Sequence, residues 1–207
     1  PPPLETLFPY TTLFRSPLSS HEVAQGYKDV KERSAIAKFK AKGEDAYILA
    51  WTTTPWTLPS NVALCVNPVE TYVKVKMNED GTVYYIAQAL ADTVLGEGSY
   101  TVLESYQGKD LEYKEYEPLF DFVSPKEKCW YVTCDSYVTL TDGTGIVHIA
   151  PAFGEDDSNV GRKYGLPFVQ LVDAKGCMTK ETKWAGMFCT LVTVNAKGEE
   201  LGRLSLP

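Results

Sequence analysis

Short runs of apolar and β-branched side chains, separated by polar turns, recur along the chain and predict a mainly β fold. Residues 34–40 alternate small or apolar side chains with basic ones, and this period of two is typical of a half-exposed strand. Residues 46–53 are apolar or β-branched, which indicates a largely buried strand that Pro55 ends. Similar patterns predict strands at 62–66, 71–77, 82–87, 100–106, 130–133, 137–140 and 146–150.

One hairpin and two short helices connect these strands. The polar, glycine-ended stretch 78–81 predicts a β-hairpin between the strands at 71–77 and 82–87. Residues 88–95 have apolar side chains at helical spacing and stop before a glycine, so they predict one helix. A second helix is expected over 155–164, with Gly165 as its cap.

The predicted fold class is therefore mostly β with short α-helices. A chain of 207 residues is long enough for one well-buried domain and short for two. We expect that domain to span residues 17–187. Residues 1–16 are set apart because they resemble the translation of a short-read sequencing adapter, and we expect this end to be unstructured. Residues 188–207 do not match the expected exit of the domain and are set apart as a C-terminal tail.

Composition and charge narrow the classes of function. With 44% hydrophobic and 23% charged residues, the chain has the composition of a globular protein. A free-standing nucleic-acid binder normally has a basic surface, whereas the net charge here is −7, so any RNA must be delivered largely by something else.

The cysteine pattern and the hydropathy of the chain indicate the environment in which the protein works. The five cysteines include no Cys-x-x-Cys pair, which argues against a disulfide framework and a zinc site and fits a reducing, cytoplasmic location. No apolar run approaches membrane-spanning length, so no membrane partner is expected.

Two long motifs resemble those of a known family. Residues 51–61 read Trp-Thr-Thr-Thr-Pro-Trp-Thr-Leu-Pro-Ser-Asn, and residues 143–157 read Gly-Thr-Gly-Ile-Val-His-Ile-Ala-Pro-Ala-Phe-Gly-Glu-Asp-Asp. In this order they resemble the two signatures of the editing domain (CP1) inserted in the class I isoleucyl-, valyl- and leucyl-tRNA synthetases. The second motif, with Tyr-Glu-Pro-Leu-Phe at 116–120, is most similar to the isoleucyl-tRNA synthetases. The resemblance implies a β-barrel-like editing domain.

The resemblance also implies a hydrolytic proofreading activity. A pocket shaped for isoleucine rejects valine poorly, because one missing methylene is worth only about 1–3 kcal/mol, a magnitude taken from isoleucyl-tRNA synthetases themselves. A second site must therefore remove valine from tRNA(Ile), with valyl-adenylate as a further candidate substrate. The implied partners are tRNA(Ile) carrying valine and the remainder of the synthetase chain.

No cofactor is expected for editing. ATP is used by the synthetic domain of the parent enzyme, whose His-Ile-Gly-His and Lys-Met-Ser-Lys-Ser signatures are absent from this sequence.

Motif positions imply the residues of the site. Asp157 is expected to hold the ammonium group of the substrate, and a place in the first turn of a helix favours its ionised form. His148 is expected to gauge side-chain size, although a single histidine on a strand face is more often packed than catalytic. The catalytic candidates besides Asp157 are Thr52 and Thr53. The candidates for substrate binding besides His148 are Thr54, Trp56 and Asn61. Strand alternation predicts that Thr52 and Thr54 point one way and Thr53 the other.

Three other interpretations fit parts of the sequence. A valyl-tRNA synthetase origin would change the rejected substrate to threonine, on tRNA(Val). A non-catalytic tRNA-docking module is a second alternative, which the acidic balance disfavours. A protein-interaction domain that uses the Trp-Pro stretch is a third, and it leaves the threonine cluster without a role.

Overall fold

The computed structural model describes residues 34–187, 190–194 and 200–205. Expectations for residues 1–33, 188–189, 195–199 and 206–207 lie outside the described residues. The strands are β1 (Ala35–Lys40), β2 (Tyr47–Thr52), β3 (Ala63–Val66), β4 (Thr71–Met77), β5 (Val83–Ala87), β6 (Tyr100–Gln107), β7 (Tyr131–Cys134), β8 (Ile146–Ile149), β9 (Thr190–Val194) and β10 (Glu200–Ser205). The α-helices are α1 (Gln88–Leu95) and α2 (Glu155–Tyr164), and 3-10 helices span Pro55–Ser60 and Gly108–Leu111.

One mixed sheet of eight strands dominates the described residues. Its order is β6-β4-β5-β2-β8-β3-β7, and β1 pairs antiparallel with β2. β9 and β10 form a separate antiparallel pair. The predicted fold class, mostly β with short helices, is confirmed, as is the hairpin, which β4 and β5 form.

Local sequence patterns predict most element boundaries to within one or two residues. The predicted strand at 137–140 is wrong, because these residues form a turn and irregular backbone. The side chain of Asn67 explains the difference: its amide donates to the carbonyl oxygen of Val138 at 2.9 Å and to that of Ser136 at 3.5 Å. A side chain therefore occupies carbonyl groups that a neighbouring strand would otherwise bind.

Helix α2 is fixed against the sheet by its packing and its ends. Val160 is buried in a cluster with Cys65 of β3 and Ile149 of β8. Gly165 ends the helix in the left-handed region at φ 64°, as predicted. The first turn carries three acidic residues and the last turn two basic ones, the distribution that the helix dipole favours. No helix in the described part of the chain has the length and apolar character needed to cross a membrane.

The partly buried carboxylate of Glu44 links the β1–β2 turn to β4 and β5. Glu44 accepts a hydrogen bond from the Tyr85 hydroxyl at 2.9 Å and pairs with Lys74 at 2.7 Å and with Lys114. Burial alone raises the pKa of the Glu44 carboxyl. The hydrogen bonds from Lys114, Lys74 and Tyr85 outweigh that effect and hold this pKa at about 2.

Acid is therefore expected to destabilise the fold through Glu44. Because the folded pKa of about 2 lies below the ordinary value of 4.5, the stabilisation is present above that value and is lost as the pH falls towards about 2. Solvent screening of this partly exposed group limits the effect to roughly 1 kcal/mol. Urea unfolding at about pH 6 and about pH 3 measures the loss. Glu44→Gln should show a smaller pH dependence, and equal dependence in the two proteins would contradict the assignment.

Candidate functional site

Two parallel strands end at the same edge of the sheet and bring the two sequence motifs together. β2 and β8 are parallel, with Trp51 opposite Val147. Thr52 is the last residue of β2, and His148 lies in β8, where it pairs with Leu64 of β3. Because parallel strands have their carboxyl ends on one side, the threonine-rich segment begins next to the imidazole of His148.

Three threonine hydroxyls and the imidazole form one hydrogen-bonded network. Thr52 Oγ1 lies 3.4 Å from Thr54 Oγ1 and 3.4 Å from His148 Nε2. Thr57 Oγ1 lies 3.0 Å from His148 Nε2 and donates to the Thr54 carbonyl oxygen at 2.8 Å. The prediction that Thr52 and Thr54 share a side is confirmed. Thr53 is half-buried and takes no part in this network.

The 3-10 helix Pro55–Ser60 is the reason why Thr57 reaches the network. Its first turn brings the Thr57 backbone N–H to the Thr54 carbonyl oxygen at 3.0 Å, so residues 54 and 57 lie on one side. Sequence reasoning missed Thr57, although its spacing of three residues from Thr54, across a proline that favours a helical first turn, points to it.

His148 is held as a neutral imidazole. The residue is 8% exposed, and burial lowers the pKa of its imidazole to about 4. Nδ1 is buried and has no hydrogen-bond partner among the described residues. At neutral pH the imidazole therefore contributes shape and one N–H group but no charge.

Asp157 lies in the first turn of α2 and is bonded to the backbone just after β8. Its Oδ2 accepts a hydrogen bond from the backbone N–H of Ala150 at 2.9 Å, two residues beyond His148. Burial raises the pKa of the Asp157 carboxyl, the Ala150 N–H lowers it, Asp156 raises it and the Tyr137 hydroxyl lowers it, and the net shift is upward. The expected helix-start effect is thus outweighed by desolvation.

Tyr137, near the Asp157 carboxylate, is the second residue after Thr57 that the sequence did not predict for this site. Its hydroxyl is buried, and burial raises its pKa well above the ordinary value. The turn at 136–137 places it beside Asp157, in a stretch that the sequence pattern assigned to a strand.

Asn61 and Trp56 are positioned by internal contacts. The Asn61 side chain donates to the Ala63 carbonyl oxygen at 2.7 Å and accepts from the Tyr116 hydroxyl at 2.7 Å. Trp56 is half-buried and packs against a cluster that includes Val62. These two hydrogen bonds fix the end of the threonine-rich segment, and the predicted contact of Asn61 with substrate stays a prediction.

A separate cavity of about 310 Å³ lies on the other face of the same strands. Trp51 and Val147 line it, and they alternate along β2 and β8 with Thr52 and His148. The threonine–imidazole network is thus distinct from this cavity. Among the described residues no group of three or more His, Cys, Asp or Glu side chains could hold a metal ion.

Comparisons with known proteins identify relatives of this chain in sequence. The chain is 56% identical over 182 residues to the isoleucine–tRNA ligase of Clostridium novyi, a match that covers 87% of this chain and 17% of that protein. It is 54% identical over 184 residues to that of Clostridium acetobutylicum, covering 88% and 17%. The chain spans about 17% of the length of these curated relatives. No protein-family model matches.

Solved structures agree with the fold. GlLeuRS-CP1 superposes with a TM-score of 0.57 at 16% identity, covering 71% of this chain and 74% of that one. The editing domain of the P. knowlesi cytosolic leucyl-tRNA synthetase gives 0.55 at 14% identity, covering 68% and 66%. The predicted editing-domain fold is confirmed by these likenesses.

Proposed function

We propose that this chain, which is homologous to a segment of isoleucine–tRNA ligases and has the fold of a synthetase editing domain, hydrolyses the ester bond between valine and tRNA(Ile). Valyl-adenylate is a second substrate of the same site. The partners are tRNA(Ile) and the remainder of the synthetase chain, the setting is the cytoplasm, and ATP serves only the synthetic domain. One observation carries the proposal: Thr52 Oγ1 and His148 Nε2, 96 residues apart in sequence, lie 3.4 Å apart, and Asp157 is hydrogen-bonded to the Ala150 N–H, two residues beyond His148.

Asp157 binds the ammonium group of valine. One carboxylate oxygen is held by the Ala150 N–H, which orients the group and leaves the other oxygen for the substrate. Burial makes an unpaired carboxylate costly here, so a cationic partner relieves part of that cost. The upward shift in the pKa of Asp157 therefore favours binding of a positively charged ligand.

His148 and the threonines complete the site. The imidazole is buried and neutral, which suits a wall that excludes the larger isoleucine side chain. Thr52 is buried, whereas Thr53 and Thr54 are half-buried. The hydroxyls of Thr53 and Thr54 are therefore the ones able to reach ribose or water. Hydrolysis proceeds without a covalent enzyme intermediate, through a water oriented by these groups and helped by the neighbouring ribose hydroxyl.

Deacylation of charged tRNA(Ile) tests the proposal in the full-length ligase that carries this segment. We expect Val-tRNA(Ile) to be hydrolysed about tenfold or more faster than Ile-tRNA(Ile), because the extra methylene of isoleucine meets the His148 wall. Faster loss of Thr-tRNA(Val) than of Val-tRNA(Ile) would instead favour a valyl-tRNA synthetase origin. Tight, strongly salt-dependent tRNA binding without turnover would favour a docking module and contradict the proposal.

A further inference from the structure

We propose that Thr57 is a positioning residue that holds the His148 imidazole in the tautomer protonated at Nε2, so that the ring is a fixed wall and not a proton acceptor. The consequence for selectivity rests on the proposed function. The tautomer itself is a property of the free protein and can be measured without any substrate.

The single proton of the Thr57 hydroxyl determines the tautomer. Thr57 Oγ1 lies 2.8 Å from the Thr54 carbonyl oxygen and 3.0 Å from His148 Nε2. A carbonyl oxygen can only accept, so the shorter contact requires Thr57 to donate its proton there. The hydroxyl oxygen then offers only lone pairs to the imidazole. His148 Nε2 must therefore carry a proton and donate it to Thr57.

The other ring nitrogen leads to the same tautomer. Nδ1 of His148 is buried and has no hydrogen-bond partner among the described residues. A proton on Nδ1 would create a buried N–H donor without an acceptor, at a cost of about 1–3 kcal/mol. Unpaired buried N–H groups are also rarer in proteins than unpaired acceptors. The proton is therefore placed at Nε2 by two independent arguments.

Thr52 is the second threonine that contacts the imidazole ring of His148. Its Oγ1 accepts the Thr54 backbone N–H at 3.0 Å and lies 3.4 Å from His148 Nε2, as a second and weaker acceptor. Both hydroxyls that face Nε2 belong to residues that are only 5% exposed. With Nε2–H committed to the protein and Nδ1 buried, neither nitrogen of His148 can take a proton from an attacking water.

Nitrogen NMR of the histidine side chains tests the proposal directly. The sequence contains two histidines, so a spectrum of the ¹⁵N-histidine-labelled chain holds two imidazoles, and His21→Gln assigns that of His148. We expect a protonated Nε2 and an unprotonated Nδ1 in His148. Thr57→Val should weaken the preference for this form and shift the His148 signals, because the nearest remaining acceptor, Thr52 Oγ1, lies 3.4 Å from Nε2. Thr57→Ser should retain it, and Thr53→Val, outside the network, should leave the spectrum unchanged.

A protonated Nδ1 in the unaltered chain would overturn the proposal, and so would an unchanged His148 spectrum in Thr57→Val. If Thr57→Val does not fold, the unaltered chain and Thr57→Ser still decide. In the full-length ligase, Thr57→Val should reduce the preference for Val-tRNA(Ile) over Ile-tRNA(Ile), and Thr57→Ser should restore it. The expected tautomer without any tRNA deacylation would uphold the positioning role of Thr57 while the proposed function fails.

Discussion

Replacing Asp157 with alanine is expected to reduce the deacylation of Val-tRNA(Ile) by about 100-fold or more in the full-length ligase. The carboxylate is partly buried, and its desolvation raises its pKa, so the proposed ammonium group would relieve part of the cost of burying its charge. Removing one member of a desolvated charge pair costs about 2–5 kcal/mol, which corresponds to a loss in rate of roughly 30-fold to 5,000-fold and brackets the expected effect. Steady-state deacylation of Val-tRNA(Ile) measures the effect.

Two further variants separate the charge of Asp157 from its hydrogen bond. Asp157→Asn keeps an oxygen that can accept the Ala150 N–H but removes the negative charge. If the ammonium contact matters, Asp157→Asn should be nearly as inactive as Asp157→Ala. Asp156→Ala is the matched control, because it removes a neighbouring, exposed acid from the same helical turn and should retain activity. Full activity of Asp157→Asn would show that the carboxylate serves only to position β8.

Local patterns in the sequence predict the elements that build this site. The bounds of β2 follow from its run of apolar and β-branched residues and from Pro55, and those of α2 follow from its acidic first turn and Gly165. These features depend on neighbours in the chain, which is why a single sequence is sufficient to find them.

Contacts between segments far apart in the chain could not be predicted from these local patterns. The parallel pairing of β2 with β8 joins residues 51 and 147, and no local pattern specifies it. The Asn67 side chain replaces a strand partner near Val138, and burial outweighs the helix-start effect on Asp157. Each of these results depends on which groups meet after folding, so propensity and spacing could not reveal them.

Gly145→Ala, in the second motif, is expected to cause a large loss of stability. Gly145 has φ +70°, and an added Cβ would lie 2.4 Å from the Ala87 Cβ and 2.7 Å from a Leu140 methyl. The left-handed backbone costs a side chain about 1–2 kcal/mol, and overpacking adds about 1–3 kcal/mol. The Gly145 carbonyl oxygen accepts a hydrogen bond from the buried Tyr72 hydroxyl at 2.8 Å. Because this turn leads directly into β8, its displacement would disturb the strand that carries His148.

Comparison with Gly165→Ala separates the backbone part of this cost from the steric part. Gly165 has a similar φ of +64°, and an added Cβ there meets no atom within 4 Å. Its substitution should therefore cost only the backbone contribution of about 1–2 kcal/mol, whereas Gly145→Ala should cost roughly 2–5 kcal/mol. Urea unfolding of the two variants and the unaltered chain measures the difference. Equal losses would show that Ala87 and Leu140 can move aside, and the close packing of the Gly143–Gly145 turn against β5 would then not be what holds β8 in place.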